Sequence, residues 1–127
     1  TWIPATALAM GIGLGVGAWV VGYGTSLGEL ALMGAITGIP LGAAQAYLLR
    51  ERVANAWVWA AAVPLLWALG WTVTTAGGIA VDHQFAIFGA YGAITFMALS
   101  GILLDRLRAA TPTASTLDPA QHKATAA

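Results

Sequence analysis

The chain has no cysteine, which removes disulfide frameworks, thiolate-bound zinc, iron–sulfur clusters and thiol chemistry together. Charge is almost as scarce: Asp, Glu, Lys and Arg make up 8% of the 127 residues, against roughly 25% in soluble domains. So few charges cannot cover a folded surface that faces water, and an ordinary soluble globule is excluded. Five acidic and five basic residues cancel, with no basic run among them. A nucleic-acid partner is therefore not expected.

What fills the space is apolar, at 59% of the residues. A helix needs about 20 mostly apolar residues to cross roughly 30 Å of hydrocarbon. Four segments qualify: 2–23, about 30–49, about 54–80 and about 85–104. Lipid offers no partner to an open strand edge, and these runs do not alternate as barrel strands do. The expected fold is an all-α membrane protein, a four-helix transmembrane bundle over 1–108 with a polar tail at 109–127. No basic residue precedes Trp2, so the first span reads as a retained helix and not as a signal peptide. The tail, rich in Ala and Thr without apolar periodicity, has the composition of a disordered segment.

Basic residues give the direction. Arg50 and Arg52 lie between the second and third spans, and Arg106, Arg108 and Lys123 follow the fourth. The first and third loops carry Glu29, Asp82 and His83 but no Lys or Arg. Positive loops stay inside, so both termini are expected in the cytoplasm, with Arg50, Arg52, Arg106 and Arg108 anchoring the inner interface. Trp2 and Trp57 fall near that interface, and Trp19, Tyr23 and Trp71 nearer the outer one.

Displaced by 55 residues, the chain aligns with itself without a gap. Trp2 meets Trp57, Leu14-Gly15 meets Leu69-Gly70, Gly34-Ala35 meets Gly89-Ala90, and Leu48-Leu49 meets Leu103-Leu104. The expectation is two tandem parallel helical hairpins, about 2–51 and 57–106, related by an axis along the membrane normal.

Glycine is the other plentiful residue. Gly11, Gly13, Gly15 and Gly17 alternate in the first span. A phosphate-binding loop would need a strand before them and a helix start after them. Inside an apolar run they read instead as two small-xxx-small pairs, 11/15 and 13/17, that let helices approach closely. Gly34, Gly38, Gly42 and Ala46 recur every four residues in the second span, and Gly89, Ala93, Met97 and Gly101 are their counterparts in the fourth. A residue every four drifts only about 40° around a helix. These stripes, with Gly11 and Gly15, are expected to be contact surfaces, within the bundle or towards another subunit. One of the two stripes on the first span should face lipid, so a large residue at Gly13 should matter less than one at Gly38.

The alternating glycines resemble the inner helix of the rotor-ring proteolipids of rotary ATP synthases. That family carries its ion on a mid-membrane carboxylate of the outer helix. Glu29 and Asp105 are terminal here, so the ion-carrying role is not implied. Gln45, Leu49 and Arg50, with Trp57 and Trp59 opening the next span, resemble uncharacterised bacterial multi-pass inner-membrane proteins. In those proteins a Gly-rich helix ends Gln-x-x-x-Leu-Arg. The resemblance implies a bacterial cytoplasmic membrane and brings no activity with it.

Candidate chemistry is thin. Gln45 lies five residues inside Arg50 and is expected to bond a neighbouring helix. Pro40 and Pro64 are mid-span and should each free a carbonyl and bend the helix. No span holds a buried charge of the kind that couples protons or substrates, which argues against a secondary transporter. Glu29, Asp82 and His83 can meet at the outer face, where a solvated rim is expected ahead of a divalent-cation site or a contact with a partner's basic residue. His83 is a single possible pigment ligand, and Trp67 and Trp71, one turn apart, can flank a lipid, quinone or carotenoid. No catalytic constellation stands out, and an enzyme is not expected. The leading expectation is a small non-catalytic subunit or assembly factor of a larger membrane complex, contacting lipids and other membrane subunits and needing no cofactor. The alternatives are a homo-oligomeric channel with the glycine stripes on its axis, and a pigment- or lipid-binding protein.

Overall fold

The computed structural model describes residues 1–79 and 89–110. It has four helices and, among the described residues, no strand: α1 (Trp2–Val20), α2 (Leu27–Leu49), α3 (Ala56–Ala76) and α4 (Ala90–Ala109). Each is long and apolar enough to cross a membrane. Large apolar side chains such as Ile3, Leu8, Trp19, Ile39, Leu65 and Ile94 stay exposed on the outside. In water that surface would aggregate, whereas hydrocarbon solvates it without cost. The architecture is that of a multi-pass membrane protein.

Local chemistry sets the helix ends and moves them from the expected ones. α1 stops at Val20 because Gly22 and Tyr23 turn left-handed, with φ of 58° and 60°. α2 starts three residues before Leu30, on a capping box. The Ser26 hydroxyl accepts from the Glu29 backbone N–H at 3.4 Å, and the Glu29 carboxylate accepts from the Ser26 backbone N–H at 2.9 Å. α3 ends at Ala76, short of Ala80, where Gly77 and a left-handed Gly78 (φ 81°) follow. α4 runs past Leu104 to Ala109, with Leu107 buried and the cations of Arg106 and Arg108 set against its C-terminal dipole. The expected start at Phe85, the Asp82–His83 turn and the tail from residue 111 lie outside the described residues.

The helices pack in chain order, α1 on α2, α2 on α3 and α3 on α4, each pair antiparallel; no other pair approaches closely. The central α2–α3 seam is the tightest. A Cβ on Gly34 would stand 2.8 Å from the Trp67 carbonyl, one on Gly42 2.8 Å from the Ala60 carbonyl, and one on Gly38 inside the backbone of Pro64. Pro64 removes the helical donor for Ala60, and the freed carbonyl faces Gly42, where only a residue without a Cβ leaves it room. On α1, Gly13 and Gly17 make the contact, against Thr37 and Met33 of α2. Gly11 and Gly15 have open space where a Cβ would stand. The expectation that Gly13 is the tolerant position is thus reversed: the pair on α1 that does not pack against α2 is 11/15.

Positions related by the 55-residue offset do not share an environment. Gly34, Gly38, Gly42 and Ala46 are buried against α3, whereas Gly89, Ala93, Met97 and Gly101 are exposed.

Candidate functional site

The core is asymmetric along the helices. Leu41, Ala46, Leu49, Val53, Trp59, Val63 and Leu107 form one buried cluster, with Ala9 of α1, towards the end that carries the arginines. Inside it the Trp59 indole N–H donates to the Gln45 side-chain oxygen at 3.1 Å, tying α3 to α2. Gln45 thus bonds a neighbouring helix; that its partner is Trp59 could not be read from the sequence, although a buried indole N–H usually finds an acceptor.

Towards the opposite end the row opens. α1 and α4 do not meet, and between them lies a groove of about 850 Å³, floored by α2 and α3. Its volume falls within the roughly 300–1,000 Å³ of pockets that bury most of a small ligand. Met10, Leu14, Gly15 and Ala18 form the α1 wall and Gly89, Gly92, Ala93, Phe96 and Met97 the α4 wall. Leu30 and Met33 of α2 and Leu66, Trp67, Gly70, Trp71 and Thr74 of α3 make the floor. Tyr23, Gly24 and Thr25 stand at the loop end. All three methionines of the chain line this one groove. Methionine is flexible and polarizable, and such linings adapt to occupants of irregular shape.

Several local devices hold the groove open. The Trp67 and Phe96 rings pack at 5.8 Å and 59°, bracing α3 against α4 at mid-span. Above them Gly70 and Gly92 bring the two backbones together, because a Cβ on Gly92 would lie 2.6 Å from the Gly70 carbonyl. The Thr74 hydroxyl donates to the Gly70 carbonyl at 3.0 Å and accepts from the Gly92 N–H at 2.8 Å. Gly92 sits in the first turn of α4, whose N-cap Gly89 has no side chain. Thr74 therefore caps α4 from the neighbouring helix. On the other wall no side chain projects from Gly15, and a Cβ there would meet nothing within 4 Å.

Of the residues singled out from the sequence, Trp67 and Trp71 reach this groove together, with Gly15, Gly89 and Ala93 on its walls. Gly34, Gly38, Gly42 and Ala46 lie in the α2–α3 seam. Gly11 and Gly101 face outward with open space. Glu29 is engaged with Ser26, and Asp82 and His83 lie outside the described residues. At the other end Arg50 lies 3.7 Å over the Tyr47 ring and pairs with Glu51 at 3.3 Å, while Arg52, Arg106 and Arg108 are exposed. Among the described residues no cluster of His, Asp and Glu forms a metal site. Phe96, Met10 and Met33 were not singled out, and Met97 only as a stripe counterpart, because which helices stay apart is a tertiary fact. Comparison with protein-family models, curated proteins and solved structures gives no match.

Proposed function

We infer that this is a non-catalytic membrane protein that holds an apolar molecule between α1 and α4. The observation that carries this reading is the groove itself, with its Trp67–Phe96 brace and converging methionines. Among the described residues no charged side chain lines it, and the Thr74 hydroxyl is engaged with Gly70 and Gly92. The described lining offers shape and dispersion, without acid, base or nucleophile. In orientation, the arginine-bearing end is cytoplasmic and the groove opens in the outer half of a bacterial inner membrane, by the positive-inside rule.

The test is purification in a mild detergent followed by organic extraction and chromatography. One apolar compound per chain is the expected result. A chain that yields only detergent and trace mixed lipid would refute the reading.

A role as subunit of a larger complex retains one specific support: Gly11 on α1 and Gly101 on α4 are exposed with open space around them, as at sites where a partner helix packs. Stoichiometric protein subunits in the same preparation would favour it. A pore lined by the Gly34–Gly38–Gly42 stripe would need that stripe on a central axis, and α3 covers it.

A further inference from the structure

We propose that the occupant of the groove is one acyl chain of a phospholipid standing in the leaflet at the loop end of the bundle. This rests on the reading of the groove as a binding site and specifies its ligand.

Depth comes first. The lining draws on the same half of all four helices, from mid-span to the end opposite the arginines. From Met10 to the end of α1 at Val20 the rise is about 15 Å, half of the roughly 30 Å hydrocarbon thickness. The groove is one leaflet deep. Its inner limit lies at Met10, Trp67 and Phe96, which pack against the buried cluster that closes the other half. A chain descending from the loop-end headgroups would terminate there.

Chemistry comes second. A quinone or porphyrin edge buried in the groove would need hydrogen-bond partners or a metal ligand within it. Among the described lining residues the Thr74 hydroxyl is engaged with Gly70 and Gly92, and Thr25 has its own partner. The Trp67 indole N–H has no partner there, but it is buried within the floor and not presented to the groove. The described lining thus presents almost only hydrocarbon to an occupant, which suits an acyl chain inside and its polar part at the rim. Tyr23 stands at that rim, 78% exposed, where a phenol suits the headgroup level. Access is third. Because α1 and α4 do not meet, the groove opens sideways to the leaflet. A chain can enter without leaving the hydrocarbon, and no bond is made or broken.

The experiment uses the full chain with Trp2, Trp19 and Trp57 changed to Phe, leaving Trp67 and Trp71 on the groove and Trp59 in the core; a Trp67→Phe companion gives the Trp67 signal by difference. The protein is reconstituted in phosphatidylcholine vesicles brominated on the acyl chain, then solubilised in detergent with excess unbrominated lipid. Bulk lipid exchanges, so quenching that persists reports a retained chain. The expected result is persistent Trp67 quenching, stronger with bromine near the chain terminus than near the carbonyl. A Gly15→Phe variant fills the groove from a position with open space, and its retained fraction should fall by about tenfold or more. A Leu65→Ala variant on the exposed outer face should retain lipid as the parent does, which separates filling of the groove from general damage.

Quenching lost on exchange, quenching stronger near the carbonyl, or retention of a brominated free fatty acid in place of the phospholipid would each overturn the inference. If it fails while organic extraction still yields another stoichiometric apolar compound, the groove remains a binding site with a different ligand. If both fail, the reading of the groove falls too.

Discussion

Single residues in this chain are specified by contact with backbone more than with side chains. Gly38 is the clearest case, since a methyl group there would occupy the space of the Pro64 backbone, which cannot rotate aside. Gly38→Ala should lower stability in detergent by about 1–3 kcal/mol. Gly11→Ala, where nothing lies within 4 Å, should leave stability unchanged or raise it by up to about 1 kcal/mol, through the helix preference of Ala. Thermal melts of both variants in one detergent check the contrast, which equal losses would contradict. Gln45→Leu should cost about 0.5–2 kcal/mol, because the Trp59 N–H then lacks its acceptor inside the core; the same melts measure it. That small residues mattered was legible in their spacing of four. Which of the two stripes on α1 packs was not, because 11/15 and 13/17 have the same composition and only the position of α2 distinguishes them.

At the scale of elements, helix ends depend on neighbours as much as on local sequence. The Ser26–Glu29 box starting α2 is local and could be read from the residues in order. The cap on α4 is not local: Thr74 supplies it from α3, eighteen positions before Gly92. Thr74→Val keeps the shape but removes the acceptor, leaving the Gly92 N–H unpaired. The first turn of α4 should then exchange its amide hydrogens faster, with an overall loss of about 1 kcal/mol. Thr74→Ser should restore the protection. Hydrogen exchange on the intact protein in detergent decides it, and unchanged exchange in Thr74→Val would remove the cap from the account.

For the whole molecule, span number and helical class followed from charge scarcity, run length and the lack of alternation, since lipid admits only helices or closed, alternating barrels. The order of packing did not follow. A four-helix chain suggests a closed bundle, yet tight glycine contacts on α2–α3 spread the helices into a row and leave α1 and α4 apart. Trp67 and Trp71 were visible as a pair one turn apart; Phe96, Met10, Met33 and Met97 become neighbours only through that arrangement. Orientation rests on the placement of the four arginines and Lys123 alone. Single cysteines at Ser26 and Ala120 test it in intact cells, where an impermeant reagent should label Ser26→Cys and spare Ala120→Cys. The opposite pattern would invert the molecule and place the groove in the inner leaflet.

Occupancy of the α1–α4 groove is the centre of the account, and the native mass spectrum of the chain released from mild detergent tests it most directly. The wild-type chain should carry the added mass of one apolar molecule, and Gly15→Phe should fly without it while keeping the wild-type melting behaviour of the delipidated protein. Identical spectra for the two, whether both bare or both carrying the same adduct, would contradict it.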